Sequence, residues 1–285
     1  VLMARMFGAR NISAVDSNPL VVRAVRSYLR EHGSRMYEEN TWTGMGRTWL
    51  AASGRKFDLI DLSLMGPSPS APFGFAEDYR FTVEAFEQYL AHLKNEGFLS
   101  LNLYIIPPPR AELRLLATLA EAFDQLSSRE SMTENRNPPQ SPFFKGGPAA
   151  LPPLAKGGGG GFNKTRDFHT HISAIRSWDT LTLLVKKSAL TPEDIGRIKA
   201  FAREKRFDLV YYPGIRPEES NVHIKMPNNE YAGAFQRLLN KETRDRFMDD
   251  YLFDIRPVSD DKPFFHYYLK VKNLRAIYTM MGAKW

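Results

Sequence analysis

The pattern that most restricts this chain is a strict alternation of short apolar runs with helix-period segments. Ile12–Val15 reads as a buried strand ending at Asp16. Pro19 then opens a helix capped by Asn18 or Ser17, with Leu20, Val21, Ala24, Val25 and Leu29 on one face and Gly33 as its stop. Met36–Trp42 reads as the next strand, followed by a tight Gly44-Met45-Gly46 turn and a short helix over Thr48–Ala52. Phe57–Leu64 is a third strand, and a Pro/Gly/Ser loop runs from Gly66 to Gly74. Thr82 caps a helix carrying Val83, Phe86, Tyr89, Leu90 and Leu93, which Gly97 closes. Phe98–Tyr104 is a strand stopped by Pro107, Pro108 and Pro109, and Ala111–Phe123 is an amphipathic helix. Strands alternating with helices in this way predict an α/β fold, a doubly wound, mainly parallel, Rossmann-like sheet. Ligands of such sheets bind beyond the carboxyl ends of the strands, where Asp16, the Gly44–Gly46 turn, Ser63 and Tyr104 fall.

The alternation breaks once. Residues 129–168 hold six Pro and seven Gly, a third of the segment, and show neither helix nor strand period. That composition matches low-complexity sequence and reads as an insert between a regular helix and a regular strand. Beyond it, Ile172–Arg176 and Thr180–Val185 flank Ser177-Trp178-Asp179 and read as an antiparallel hairpin at the sheet edge. Thr191-Pro192-Glu193-Asp194 starts a helix that runs to about Lys205. Phe207–Tyr212 is a short strand, Tyr231–Asn240 and Thr243–Tyr251 are helices, and Asp254–Tyr268 is extended and aromatic. The organisation is thus a core over 1–128, the insert over 129–168, the end of the sheet with a C-terminal extension over 169–269, and a basic tail over 270–285.

Charge and cysteine content narrow the chemistry. The net charge of +7 is −1 over residues 1–128, +3 over 129–168 and +5 over 169–285. The excess therefore lies outside the main domain, and no basic stripe of the kind that grips nucleic acid runs along it. Lys270, Lys272, Arg275 and Lys284 give the last sixteen residues +4 with no acid, which reads either as a solvated terminal helix or as a segment beside a membrane. There is no Cys, so a disulfide scaffold, a Cys-ligated zinc and a thiol nucleophile are excluded. No run of about 18 apolar residues predicts a spanning helix. The opening residues, Val1 to Met6, resemble neither a signal peptide nor a natural start and read as the middle of a helix, so sequence upstream is expected.

Six phrases in this order resemble the spermidine-synthase-like branch of the class I S-adenosylmethionine-dependent methyltransferase fold. They are Gly8 to Pro19, Gly46 to Leu50, Phe57 to Ile60, Tyr79 to Phe86, Leu181 to Lys186 and Pro257 to Phe265. The chain is most similar to domains of large bacterial membrane proteins described as spermidine-synthase-like. The resemblance covers nearly everything but the insert. It implies a small-molecule nucleoside cofactor, S-adenosylmethionine or its decarboxylated form, and transfer of a methyl or aminopropyl group to a polyamine or another small acceptor. It also implies a cytoplasmic place at the inner face of a membrane, with a membrane domain continuing after Trp285. The family's glycine-rich loop would precede Val1.

The expected cofactor-binding set is Asp16, Asn18, Gly44, Met45 and Gly46; the expected catalytic set is Asp61, Ser63 and Tyr79. A carboxylate at Asp16 is suited to accepting both ribose hydroxyls; its alternative is an acid favouring the helix that begins at Pro19. Met45 stands where the family usually has an acid that holds the adenine amino group, a hydrogen bond Met cannot accept. Ser63 and Gly66 stand where true spermidine synthases carry two Asp that orient and deprotonate the amine, and neither is a base at neutral pH. Asp61 shares the strand face of Ser63 and is either a substitute acid or a partner of nearby groups. Glu77, Asp78 and Tyr79 either border the cleft, with an acid for a cationic substrate, or form a solvated loop. Asp260 and Asp261 read as turn and docking residues, because neighbours on an extended strand face opposite ways. His169 and His171 alternate next to the insert, but a metal site needs further ligands and none is evident in the sequence. The function class therefore stays divided between a transferase and a domain that has kept the fold, lost catalysis and acts as an interaction or sensor module.

Overall fold

In a computed structural model of the chain, residues 1–33, 41–65, 76–134 and 167–282 are described. They form two compact units, residues 1–56 and residues 57–285.

The first unit contains α1 (Leu2–Met6), β1 (Ala14–Asp16), α2 (Pro19–Glu31), β2 (Thr41–Thr43) and α3 (Gly46–Ser53). β1 and β2 pair in parallel, with Asp16 opposite Thr43. Of the two caps the sequence offers for α2, Asn18 is the one used. Its side-chain oxygen accepts the N–H of Leu20 at 2.9 Å, and Pro19 fills the first turn, where no N–H is required. Val22 and Leu50 are buried in this unit. The strand expected from Met36 falls mostly outside the described residues, and β2 is its described end.

The second unit contains β3 (Phe57–Met65), α4 (Val83–Ala91), β4 (Leu93–Tyr104), α5 (Ala111–Glu134), β5 (Ile172–Arg176), β6 (Thr180–Lys186), α6 (Pro192–Lys205), β7 (Asp208–Tyr211), α7 (Glu230–Leu239), α8 (Lys241–Asp250) and α9 (Leu274–Gly282). Its sheet has the order β3-β4-β6-β5-β7. The α/β class stands, with parallel pairing at β3/β4, and the sheet turns antiparallel from β4 onward. The turn Ser177–Asp179 forces β5 and β6 to be antiparallel, since so short a connection joins only antiparallel strands. The hairpin is not at the edge as expected: β6 lies between β4 and β5, and β7 pairs along the outer side of β5.

Period-two burial explains the centre of this sheet. Leu99, Leu101 and Leu103 of β4 lie opposite Val185, Leu183 and Leu181 of β6, and all six are buried. Each such side chain contributes about 1.5–3 kcal/mol by leaving water. Leu113, Leu115, Leu116, Leu119 and Phe123 of α5 are buried as well. That helix runs eleven residues past Phe123, because no Gly or Pro interrupts the chain before Glu134 even though the apolar period fades. Gly97 does not close α4. The helix ends at Ala91 and Gly97 lies inside β4, where a Cβ would stand 2.8 Å from the Phe57 carbonyl oxygen. The glycine is there for the close approach of β3.

Two buried arginines tie the irregular segments down. Arg176 and Asp208 face each other across β5/β7 and pair at 2.9 Å, with both side chains almost fully buried. Asp208 also accepts the backbone N–H groups of Val222, His223 and Ile224 at 2.6–2.8 Å, so one carboxylate organises that loop. Arg114 of α5 donates to the carbonyls of Phe264, Phe265 and Tyr267 at 2.6–3.1 Å, which explains how Asp254–Tyr268 is held without being a strand. No described helix is long and apolar enough to cross a membrane. The loop from Gly66 to Gly74, and residues 135–166 of the insert, lie outside the described residues.

Candidate functional site

In the first unit, the whole expected cofactor-binding set sits at one end of the two parallel strands. The Gly44 N–H donates to the Asp16 carbonyl at 2.9 Å, joining the two strand ends. Gly44 has φ 153°, a conformation that favours glycine. The Asp16 side chain is exposed, and its Oδ1 accepts the Asn18 N–H at 2.8 Å. Among the described residues no hydrogen bond engages its Oδ2. Both readings of Asp16 therefore have a physical basis: one oxygen organises the start of α2 while the other faces solvent. Asn18 spends its oxygen on the helix cap. Met45 occupies the N-cap position of α3 without a side-chain cap and is 56% exposed, so an apolar chain faces water beside uncapped N–H groups. Gly46 is the first residue of that helix.

The sequence reading gave no role to the neighbouring tryptophans. Trp42 of β2 and Trp49 of α3 lie with ring centroids 5.1 Å apart, both half-buried, on either side of the glycine turn. The signal was in the sequence, as two Trp seven residues apart flanking Gly44-Met45-Gly46.

In the second unit, Asp61 and Ser63 lie on the same face of β3, both exposed, and the Ser63 hydroxyl donates to Asp61 Oδ2. A serine bonded to a carboxylate with no imidazole between them has no base strong enough to make it a nucleophile. The arrangement instead occupies one oxygen of Asp61. Gly66 is outside the described residues.

Tyr79 belongs to a different neighbourhood. Its hydroxyl donates to Glu77 Oε2 at 3.1 Å, and the Glu77 carboxylate, with burial and Asp260 adding, pushes its ionisation above the ordinary value. Asp78 next to it is not a free acid. Burial raises its pKa, but the Arg80 side chain at 2.7 and 2.8 Å, together with His266, outweighs this and holds the carboxyl at about 2. Of the two acids considered for a cationic ligand, Asp78 is thus committed to Arg80. Asp260 acts as the docking residue expected: it accepts the Thr82 hydroxyl at 2.6 Å, and its N–H donates to Glu84 at 2.9 Å. His171 is buried and its Nδ1 faces the Lys186 carbonyl at 3.1 Å; His169 lies within a short 3-10 turn and His171 caps its end, so neither is on a strand.

One acid whose ionisation burial suppresses was not singled out by the sequence. Glu112, in the first turn of α5 just beyond β4, is 1% exposed. Burial pushes its pKa up to about 7 against the pull of backbone N–H groups, among them that of Arg110 at 3.0 Å on Oε2. Its Oε1 and the hydroxyl of Tyr231 are both buried without a hydrogen-bond partner among the described residues. Burial and Glu112 together raise the ionisation of Tyr231. The signal was helical phase: Glu112 stands three, four and seven residues before Leu115, Leu116 and Leu119.

No protein-family model matches this chain, and no curated protein matches it.

Proposed function

We propose that this chain is a nucleoside-binding domain of the spermidine-synthase-like kind, doubly wound and Rossmann-like, that takes S-adenosylmethionine or its decarboxylated form and in which aminopropyl transfer is lost or altered. The observation that carries the reading is the exposed Asp16 carboxylate, one oxygen unengaged among the described residues, beside the Gly44–Gly46 turn at the carboxyl end of parallel strands. A free carboxylate oxygen there is suited to a ribose diol, and the backbone of the turn and the faces of Trp42 and Trp49 to an adenine. Asp16, Gly44 and Gly46 would hold the nucleoside. Met45 fits less well, because it contributes packing and no acceptor for the adenine amino group. Bound, the cofactor would supply an electrophilic carbon attached to its sulfonium.

The second reading, a catalytically inactive interaction or sensor module, is favoured by one specific observation. Ser63 stands where the resemblance expects an acid, and its hydroxyl engages Asp61, the carboxylate two residues before it on that strand. An amine substrate then meets one carboxylate near this strand end, already accepting from Ser63, in place of the two acids the resemblance expects.

Calorimetric titration with S-adenosylmethionine, decarboxylated S-adenosylmethionine and methylthioadenosine tests both readings. It is run on this chain, on a form extended upstream to include the implied glycine loop, and on Asp16→Ala in each. Binding that Asp16→Ala abolishes, with the melting temperature unchanged, supports the nucleoside reading. Turnover with polyamine acceptors then separates transferase from inactive module. Absence of binding by both folded forms removes the nucleoside reading.

A further inference from the structure

The first turn of α7 has little of its own to hold it. Asn228 and Asn229 precede it with φ of 60° and 47°, two left-handed residues in succession, a strained run for residues that carry side chains. Asn229 is the N-cap of α7 but makes no side-chain cap bond, and its amide donates to Ser220 Oγ at 2.6 Å instead. The N–H groups of that turn therefore lack a side-chain cap. Further along the helix Phe235 and Leu238 are fully buried, so the grip on α7 lies past its first turn.

That turn carries Tyr231, which is buried, and α7 packs on α5, where Glu112 is buried in turn. Oε2 of Glu112 is taken by the Arg110 N–H, while its Oε1 and the Tyr231 hydroxyl have no hydrogen-bond partner among the described residues. Tyr251 at the end of α8 and Tyr268 of the extended segment belong to the same cluster. Burial raises the ionisation of all three tyrosines, and the Glu112 carboxylate raises each further. The charges around the cluster are Arg110, whose guanidinium lies over the rings of Phe253 and Tyr268, Arg114 at Tyr268, Arg176 at Tyr231, Arg237 at Tyr251, and the acids Glu230 and Asp78. Arg110 acts on Glu112 itself, yet among the described residues no cation forms an ion pair with it.

A neutral carboxyl suits this enclosure. An ionised one does not, because one of its oxygens has no donor there, and Glu230, next to Tyr231, brings a second negative charge to the contact. We infer that Glu112 is a proton-operated latch on α7: with its proton it keeps the first turn of α7, Tyr231 included, closed on α5, and without it that turn opens at Asn228 and Asn229 to let water reach the carboxylate. Phe235 and Leu238 keep the rest of α7 docked, so the opening is local. The latch lies wholly in the second unit and is independent of the nucleoside reading.

Residue-resolved hydrogen exchange of the whole chain, corrected for the intrinsic base-catalysed rate, tests this. The amides of Ala234, Phe235 and Gln236 report the opening, because their helical acceptors are the carbonyls of Glu230, Tyr231 and Ala232. In wild type their opening equilibrium is expected to rise roughly fiftyfold between pH 5 and pH 8 and to level off above about pH 7, since the carboxyl regains its ordinary ionisation once water reaches it. In Glu112→Gln it should stay flat. The β4 amides from Leu99 to Leu103 should exchange more slowly than those of α7 at every pH. This second comparison needs wild type alone, so it decides the matter even where the variant does not fold. An equal pH dependence in wild type and variant overturns the inference. So does exchange of the α7 and β4 amides at one common rate, since Glu112 would then act on global unfolding alone.

Discussion

Replacing Glu112 by Gln tests the account of the buried acid in the second unit. In the unfolded chain the carboxyl ionises near 4.5; in the folded protein burial raises this to about 7. The folded state therefore holds a proton that the unfolded state has released, throughout the window between the two values. Stability from this group is fully present below pH 4.5 and is lost as pH rises through about 7. The slope is about −1.4 kcal/mol per pH unit, so across the window the loss is about 3 kcal/mol. Gln keeps the shape and the acceptor for the Arg110 N–H but has no charge to bury. Urea unfolding at pH 5 and pH 8.5 is the assay. Wild type should lose about 3 kcal/mol more than Glu112→Gln between the two, which leaves the variant the more stable at pH 8.5. Groups titrating identically in both proteins cancel in the difference, and Asp78, held at about 2, lies below the window. Equal pH slopes for the two proteins would refute the reasoning.

Arg176→Met leaves Asp208 buried without its cation and should cost about 3–5 kcal/mol in urea unfolding, with faster proteolysis at residues 221–226. Gly97→Ala puts a methyl 2.8 Å from the Phe57 carbonyl and should destabilise by about 1–3 kcal/mol, read as a lower melting temperature; an unchanged one would show that β3 and β4 do not approach this closely in solution.

Much of the fold was legible from punctuation and period. Asn18 before Pro19, Thr82 before its helix and the Thr191 capping box are local signals, because a cap satisfies N–H groups two or three residues away. The alternation along β4 and the apolar stripe of α5 are equally local. Gly97 was misread because a glycine needed for close approach between strands looks the same in sequence as one that ends a helix. The hairpin was assigned to the edge because pairing order is not written in either strand. The tail of α5 was missed because its helix continues on propensity after the apolar period has gone.

The same division runs through the candidate sites. Asp16, Asn18 and the Gly44–Gly46 turn were visible because strand ends and tight turns are set by residues adjacent in the chain. Ser63 was visible as a departure from an expected acid, but its bond to Asp61 depends on both side chains turning toward one another. Tertiary structure alone decided that Asp78 is consumed by Arg80 and approached by His266 from 188 residues further on, while Glu77 receives Tyr79. It alone set the charge state of Glu112, since a pKa depends on how much water the rest of the chain removes.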